Sequence, residues 1–278
     1  MDTALFTKQG KYLMLALDHR ASFLKFLNPQ KPEAVTQQQA IEAKRKIIEP
    51  IINIFSGILI DPDYGLPAYK QLFKDKQTYP PYLLCIEKSG CREDKTGKYT
   101  ELEYTAKNLR SWGASGVKLL LHFNPLLKSA EHQLKTGKKA IEDAHNNNLP
   151  VFLEIVTYES GSEKIGRSNL VLKSLEMFIA NNIIPDVWKL EYPGNIQTCQ
   201  KITQIVGQVP WILLTRGEKY PIFKQQLQDA VSAGAKGFLA GRALWQEAAG
   251  LTDNKLADFL KNTLLERFKE INKIVIEG

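Results

Sequence analysis

Eight short apolar runs, rich in strand-forming residues, recur along this 278-residue chain, and longer segments with apolar residues at helical spacing separate them. Strands that alternate with helices predict a parallel sheet with a helical outer layer. Eight such units in a chain of this length predict a (β/α)8 TIM barrel, in a single domain over residues 1–278. The eight runs are residues 12–18, 57–61, 82–88, 116–122, 151–157, 186–191, 211–215 and 237–241.

Segments 36–55 and 253–276 show the helical pattern most clearly, with apolar side chains on one face. A doubly wound open sheet is the competing fold, but it has fewer strands and usually a glycine-rich turn after the first one. Here the first run ends in Asp18-His19-Arg20, with no GxGxxG motif. The sequence therefore favours the barrel.

The composition limits which kinds of partner the protein is expected to bind and in which cellular compartment it is expected to act. The chain has 37 Lys and Arg against 30 Asp and Glu, a net charge of +7 that suits an anionic ligand or reflects solvated helix faces. No cluster of basic residues with interleaved aromatic residues stands out, so a nucleic-acid partner is not predicted. Cys85, Cys91 and Cys199 lack paired spacing, no signal peptide is visible, and no apolar run approaches the ~20 residues of a membrane span. We therefore expect a cytoplasmic protein without membrane association.

Two lysines and two glutamates lie inside the predicted strands, where a charge is rarely buried without a partner. Lys118 lies in the fourth run, Glu154 in the fifth, and Lys189 and Glu191 in the sixth. Lys189 and Glu191 share one face of their strand, with Lys189 deeper if that face points into the barrel. A neutral lysine amine attacks carbonyl carbon to form a Schiff base, so this group indicates a covalent lysine catalyst with an acid/base partner. A buried ion-pair network that fills the barrel is the alternative.

The ends of the predicted strands are unusually polar. Barrel active sites lie at the carboxyl ends of the strands, where side chains from several strands meet. These residues therefore predict a site at that mouth. The polar or glycine-bearing strand ends are Asp18, His19, Arg20, Asp61, Glu87, Lys88, His122, Thr157, Glu191, Thr215, Arg216, Gly217, Gly241 and Arg242.

The two aspartates among them have two interpretations. Asp18 and Asp61 could each orient a substrate hydroxyl or the lysine. The string after Asp61, which continues Pro-Asp-Tyr-Gly, also carries strong turn chemistry. Segment 159–167 is polar and rich in Gly and Ser, which indicates either a mobile active-site loop or a plain surface loop.

The last two strands end in a pattern typical of phosphate binding. Gly217 ends the seventh strand, and Gly241 and Arg242 end the eighth. Loops at this place, with a short helix behind them, are a recurrent phosphate site in barrels. The guanidinium of Arg242 adds a fork of donors that fits a phosphate.

The histidines raise a zinc-dependent alternative. His19 and His122 end predicted strands, whereas His132 and His145 do not. A barrel zinc site wants three nitrogen or carboxylate ligands, which the first two histidines and one acid could supply. Ligand count and spacing disfavour this arrangement, so neither a metal nor another cofactor is predicted.

Six strings along the chain resemble signatures of the tagatose 1,6-bisphosphate aldolases. Relatives of that family include sulfofructose-phosphate aldolases and the aldolase-like domain associated with inositol catabolism. Each string is short, but the combination is specific and covers nearly the whole chain. The strings are GILIDPDYGLPA at 57–68, EKSG at 87–90, VKLL at 117–120, FLEI at 152–155, WKLEYP at 188–193 and AGAKGFLAGRALW at 233–245.

The resemblance implies a (β/α)8 barrel and a metal-independent, lysine-dependent aldolase that acts on a phosphorylated sugar, with a homodimer expected by analogy. Lys189 falls at the Schiff-base position of the family and Glu154 at that of the proton-shuttling acid/base. Lys118 matches the second active-site lysine, whose positive charge disfavours a second ammonium nearby. Asp18 matches an aspartate that contacts the substrate. The phosphate-binding turn of the family matches Gly241 and Arg242.

Two departures from the family pattern affect the expected substrate. The family usually has Ser-Ala-Gly at strand seven, where this chain has Thr215-Arg216-Gly217-Glu218. Arg216 could add a phosphate contact or change the substrate. The first strand ends in Asp-His-Arg, where the tagatose enzymes tend to have Asp-Gln-Arg, so His19 weakens the assignment to tagatose bisphosphate in particular.

We therefore predict the first of three functions, and the other two stay open as alternatives. The first is a Schiff-base aldolase that releases dihydroxyacetone phosphate from a ketose such as tagatose 1,6-bisphosphate. The second is a related aldolase that acts on a deoxy-keto-gluconate phosphate or on sulfofructose phosphate. The third is a sugar-phosphate-binding regulator on the same scaffold, because fold alone does not fix function.

Overall fold

The computed structural model describes residues 1–74, 78–160 and 164–278, and eight parallel strands in it close into a barrel. This confirms the predicted (β/α)8 architecture. The strands follow one another around the barrel in chain order, and the last pairs with the first through Tyr12 and Gly237. The barrel strands are β1 (Tyr12–Leu17), β2 (Gly57–Ile60), β3 (Tyr82–Cys85), β6 (Gly116–Phe123), β7 (Val151–Thr157), β8 (Val187–Leu190), β9 (Trp211–Leu214) and β10 (Gly237–Ala240).

The outer layer consists of helices between successive strands. Apolar side chains from the outer faces of the strands and the inner faces of the helices form the larger core. The helices are α1 (Ala21–Leu27), α2 (Gln37–Ile48), α3 (Gly65–Leu72), α4 (Ala106–Ser111), α5 (Ser129–Asn146), α6 (Arg167–Ala180), α7 (Ile196–Val206), α8 (Tyr220–Ser232), α9 (Arg242–Trp245), α10 (Asp253–Asp258) and α11 (Leu265–Glu277). No helix among these described residues is long and apolar enough to cross a membrane.

The predicted helix over 36–55 is too long. Helix α2 begins after Thr36, whose side chain accepts the Gln39 amide in a capping box, and ends at Ile48. Pro50 then follows in a short 3-10 turn, because proline offers no N–H and its ring clashes with the preceding helical turn. The predicted helix over 253–276 consists of α10, a π-helical segment Phe259–Leu264 and α11.

A two-stranded antiparallel ribbon, β4 (Arg92–Asp94) with β5 (Gly97–Tyr99), lies between β3 and α4 and was not anticipated from the sequence. The Lys98 amide in it donates to the Tyr158 hydroxyl at 2.8 Å, which ties the ribbon to the carboxyl end of β7. Tyr158 lies directly before the predicted loop 159–167. Residues 161–163 of that loop lie outside the described residues.

The inside of the barrel changes from apolar to polar along the strands. Its lower half is a second, smaller core, closed by Phe6 from the N-terminal 3-10 turn, whose ring packs edge-on against Phe152 at 5.1 Å. Side chains two residues further along a strand face the same way. The next inward positions after Phe152 and Val187 are therefore Glu154 and Lys189, which rest on an apolar floor.

Closure of the barrel depends on Gly237, and its replacement by alanine should destabilise the fold. Gly237 has φ of +143°, and an added Cβ would lie 2.0 Å from the carbonyl oxygen of Tyr12 on β1. We expect Gly237→Ala to lower the free energy of unfolding by more than about 3 kcal/mol in urea denaturation.

Gly10→Ala is the matched control for this test. Gly10 also has a positive φ, +72°, but a Cβ there meets nothing within 4 Å. Its cost should be only about 1–2 kcal/mol of backbone strain. Equal losses for the two variants would mean that the close approach of β10 to β1 is not what requires the glycine.

Candidate active site

Five charged side chains meet on the apolar floor, at the centre of the barrel. Lys118 Nζ lies 2.8 Å from Asp18 Oδ2, 2.7 Å from Glu87 Oε1 and 3.2 Å from Glu154 Oε2. Lys189 Nζ lies 2.7 Å from the same Glu154 oxygen. These residues come from β6, β7, β8 and the ends of β1 and β3, and both lysine side chains are at most 4% exposed. We call them the charged cluster.

The charges in the cluster stabilise one another against burial. Burial alone would lower the pKa of Lys118, but the carboxylates of Asp18, Glu154 and Glu87 raise it well above its usual value. Burial would raise the pKa of Glu154, yet Lys118 and Lys189 outweigh it and lower that pKa. The same two lysines likewise outweigh burial at Asp18, whose pKa is lowered. Lys118 is therefore a firm cation, and Glu154 and Asp18 are carboxylates at neutral pH.

Glu87 is the member of the cluster most easily protonated. Burial raises its pKa, and Lys118 offsets this only in part. Among the described residues, its Oε2 atom has no hydrogen-bond partner although it is buried. The Glu87 carboxyl group therefore takes up a proton more easily than the carboxylates of Asp18 and Glu154 do.

The two lysines of the cluster differ in their surroundings. Lys118 touches three carboxylates, whereas Glu154 is the one carboxylate within 4 Å of the Lys189 amine in the part of the chain that is described. A proton can pass from Lys189 to Glu154 along their 2.7 Å hydrogen bond. The amine that remains is a nucleophile toward carbonyl carbon.

A cavity of about 280 Å³ opens above the cluster toward the carboxyl ends of the strands. Of the residues predicted for the site, thirteen line it. They are Asp18, His19, Arg20, Glu87, Lys88, Lys118, His122, Glu154, Lys189, Thr215, Arg216, Gly241 and Arg242.

Gly241 and Arg242 form one wall of the cavity, and Gly217 packs against Arg242. Gly217 has φ of +79°, and a Cβ on it would lie 3.1 Å from the guanidinium carbon of Arg242, so the arginine lies flat against this glycine. A Cβ on Gly241 would lie 3.2 Å from the His19 ring. Within the described residues, Arg242 Nε is buried without a partner. A guanidinium with a free donor in a cavity wall is suited to an anionic oxygen.

His19 is a neutral imidazole beside this wall. Burial lowers its pKa to about 4, with Arg242 and Lys44 adding to the effect and Asp18 opposing it. The ring packs edge-on against Trp245, with centroids 5.2 Å apart. At neutral pH it can therefore donate one hydrogen bond and accept another, but it carries no charge.

Asp61 lies behind the cavity wall, where it stabilises a turn. Its carboxylate accepts the amides of Asp63, Tyr64 and Gly65 at 2.8–3.1 Å and pairs with Lys44 on α2. The turn interpretation of its sequence therefore describes it, and the structure does not bring Asp61 to the charged cluster.

Glu191 and Arg216 form a pair over the ends of β7 to β9. Buried Glu191 accepts from the Thr157 amide at 2.7 Å and from the guanidinium of Arg216. Arg216, whose φ is +48°, also donates to the Thr157 carbonyl at 2.9 Å. Its side chain thus reaches away from the Gly241 turn, across the top of β8.

Two further predicted residues line the cavity while bound to acidic neighbours. Arg20 donates to Glu103 and to the backbone carbonyl of Glu87, both at 2.6 Å, and so fixes the end of β3. Lys88 is exposed and pairs with Glu101 at 3.0 Å.

Lys44 supports the site, and the sequence analysis missed it. It is fully buried on α2 and donates to the carbonyls of Leu17 and His19 at 2.7 and 2.8 Å, in addition to Asp61. These bonds fix the end of β1 and with it Asp18. The available signal was its position on the apolar face of α2, with Ile41 three residues before it.

The zinc alternative is not supported by the donor arrangement. His19 and His122 both line the cavity. Over residues 1–74, 78–160 and 164–278, however, no three His, Cys, Asp or Glu side chains form a group that could hold a metal ion.

The chain is thus a (β/α)8 barrel with a buried lysine–carboxylate cluster beneath the mouth at the carboxyl ends of its strands. The model of the DeoC/LacD family aldolases matches residues 12–247. The chain belongs to this aldolase family, which confirms the family resemblance of its sequence.

Individual relatives extend the comparison. The tagatose 1,6-diphosphate aldolase of Staphylococcus aureus (strain bovine RF122 / ET3-1) is 26% identical, over 98% of this chain and 93% of that protein. A protein of Corynebacterium glutamicum has a similar fold, with a TM-score of 0.70 at 16% identity over 98% of this chain and 88% of that one. A similar fold is also found in an archaeal fructose-1,6-bisphosphate aldolase, whose structure has the catalytic lysine covalently bound to the carbinolamine intermediate of the substrate. Its TM-score is 0.63 at 17% identity, over 98% of this chain and 96% of that one.

The lowered pKa of His19 predicts a specific loss of stability in mild acid. An unfolded histidine titrates near pH 6.5, so between about pH 6.5 and pH 4 the unfolded chain binds a proton that the folded protein excludes. Stability therefore falls as the pH falls through this window. From pH 7 to pH 5, we expect wild type to lose about 2 kcal/mol more unfolding free energy than His19→Gln.

Urea denaturation of both proteins at the two pH values measures this difference. Every other titrating group is common to the two proteins, so the comparison isolates His19. Equal losses would show that the imidazole takes up a proton in the folded state as readily as in the unfolded one.

Proposed function

We propose that this protein is a Schiff-base (class I) aldolase that cleaves a phosphorylated ketose, such as tagatose 1,6-bisphosphate, into dihydroxyacetone phosphate and an aldehyde. The observation that carries the proposal is the Lys189 amine, buried on the cavity floor and hydrogen-bonded at 2.7 Å to Glu154. The phosphate-suited wall at Arg242 opens on the same cavity.

The reaction begins at Lys189. Its ammonium gives a proton to Glu154, and the neutral amine that results attacks the ketose carbonyl carbon. The protonated Glu154 then returns its proton to the carbinolamine hydroxyl, which leaves as water. Glu154 is again a carboxylate, and Lys189 carries a protonated imine that can accept the electron pair of a neighbouring carbon–carbon bond. An apolar floor beneath Lys189 suits this dehydration, because it keeps bulk water from that side.

Bond cleavage requires a base at the hydroxyl beyond the scissile bond. Glu154, hydrogen-bonded to Lys189, takes that hydroxyl proton as the bond breaks, the aldehyde departs and the electron pair forms an enamine on Lys189. Protonation of the enamine carbon and hydrolysis of the imine then release dihydroxyacetone phosphate. Lys118 keeps Glu154 in its carboxylate form, the state a base requires.

Arg242 is the proposed phosphate contact. Its side chain lies against Gly217, and its Nε is free of partners within the described residues. A phosphate held there would place the carbonyl of a short ketose within reach of Lys189, and orientation of this kind supplies much of the rate of an intramolecular reaction.

Tagatose 1,6-bisphosphate is the leading substrate because a relative that aligns over 98% of this chain carries that activity in its name. His19 and Arg216, which depart from the family pattern, both line the cavity. Epimers and the sulfofructose and deoxy-keto-gluconate phosphates therefore belong in the same substrate screen.

Borohydride trapping tests the lysine. Incubation with dihydroxyacetone phosphate and borohydride should leave a reduced adduct on Lys189, read by peptide mass spectrometry, and EDTA should not affect it. Lys189→Ala should give none. Lys118 is the internal control, since its ammonium is held by three carboxylates and should stay unmodified. Binding without an adduct would contradict the aldolase and favour a sugar-phosphate sensor.

Glu154→Gln should separate the covalent step from proton transfer. An amide preserves a hydrogen bond to Lys189 but cannot take the hydroxyl proton. We expect the rate of ketose cleavage to fall by about 10²-fold or more. The Lys189 adduct with dihydroxyacetone phosphate should still form in a long incubation, but more slowly, because the lysine must then lose its proton to water and not to Glu154. Cleavage at the wild-type rate would assign the base to another group.

A further inference from the structure

His122 lines the cavity but has no role in the steps above. It follows Lys118 and Leu120 on the inward face of β6. Leu120 pairs in register with Glu154, so His122 is two residues nearer the mouth than the level of the Lys189–Glu154 pair. Two residues of strand correspond to about 7 Å.

The ring of His122 is free of protein partners. In residues 1–74, 78–160 and 164–278, no hydrogen bond or carboxylate within 4 Å reaches its nitrogens, and only its backbone carbonyl is engaged, by Gln133 at 2.9 Å. By contrast, the His145 ring contacts Asp186 at 2.8 Å and the His132 ring contacts the Thr100 carbonyl. A half-buried polar ring without a partner in a cavity wall leaves hydrogen bonds that a ligand can supply.

The charges around His122 make it a neutral donor and acceptor. Burial lowers its pKa, Lys98 on β5, Lys118 on β6 and Arg216 after β9 lower it further, and Glu154 on β7 opposes them. A neutral imidazole has one N–H and one lone pair. That pair of functions matches a hydroxyl group, which both donates and accepts, better than it matches an anion.

The order of groups around the mouth assigns that hydroxyl to one half of the substrate. Arg242 follows β10, Lys189 lies on β8, Glu154 on β7 and His122 on β6. The strands β8, β7 and β6 are successive neighbours, and β9 separates β8 from β10. A ketose with its phosphate at Arg242 and its carbonyl at Lys189 extends past Glu154 toward β6. The part beyond the scissile bond therefore faces His122.

We propose that His122 is a specificity-determining residue that hydrogen-bonds a hydroxyl group of the aldehyde half of the substrate. The assignment rests on the proposed aldolase function. It concerns the class of aldehyde the site accepts, namely hydroxylated over unsubstituted ones.

The test uses condensation, the reverse reaction, with dihydroxyacetone phosphate and two aldehydes that differ by one hydroxyl, lactaldehyde and propanal. His122→Phe should lower kcat/KM for lactaldehyde by about tenfold and change that for propanal by less than about twofold. His122→Gln, which keeps a donor and an acceptor, should recover part of the preference. His122→Ala is the replacement variant if His122→Phe does not fold, and it should show the same selective loss for lactaldehyde.

If kcat/KM fell equally for the two aldehydes, so that the ratio of the two values did not change, the assignment of His122 would be overturned. Trapping of the Lys189 adduct with dihydroxyacetone phosphate alone keeps this outcome distinct from failure of the aldolase proposal, since that step involves no aldehyde. A wild-type protein that gives no adduct would overturn both. Adducts in wild type and variants with an unchanged ratio would overturn only the role of His122.

Discussion

The ammonium of Lys118 is the interaction on which the candidate site depends. It lies within 3.2 Å of carboxylates from Asp18, Glu87 and Glu154, which come from three different parts of the barrel wall. Three acids this close together would repel one another and could not all stay ionised. One buried cation among them offsets both their repulsion and the loss of water around them. Removal of one partner from such a buried ion pair typically costs about 3–5 kcal/mol.

The Lys118 ammonium also makes the carboxyl groups around it differ in how easily they take up a proton. Glu154 shares its oxygen between Lys118 and Lys189 and stays ionised, whereas Glu87, with one oxygen unpaired in the described structure, gains protons more easily. A base and a potential proton donor thus lie on opposite sides of one lysine. Because all of these side chains come from the barrel wall, the rigidity of the sheet sets their spacing, and mobile segments are not needed for it.

Eight apolar runs that alternate with helical segments were enough to predict the barrel. Two-residue spacing along a strand also predicted that Lys189 and Glu191 share one face, and Lys189 does line the cavity inside the barrel. The same rule fails at the strand ends. Glu191 and Asp61 follow inward positions by two residues, but the ladder ends before them, at Leu190 and Ile60. Beyond those points, the turns direct the two carboxylates toward Arg216 and Lys44.

Other features depended on packing between elements distant in sequence. Lys44 was visible as a charge on an apolar helix face, but its targets at the end of β1 are known only once α2 packs there. The ribbon of β4 and β5 consists of polar three-residue strands, which have no hydrophobic alternation to detect. The predicted helix after Thr36 is too long because the apolar spacing continues to Ile51, whereas Pro50 ends the α-helical hydrogen bonding before it.

The apolar floor determines the route by which a substrate enters the cavity and the products leave it. Phe6 and the lower barrel side chains fill the space beneath Lys189, so whatever reacts there must enter and leave by the mouth. In the proposed reaction the first fragment to come loose lies on the mouth side of the lysine, while the second is still joined to it. The two fragments therefore leave in a fixed order, and the fragment nearer the mouth leaves before the one bound to Lys189.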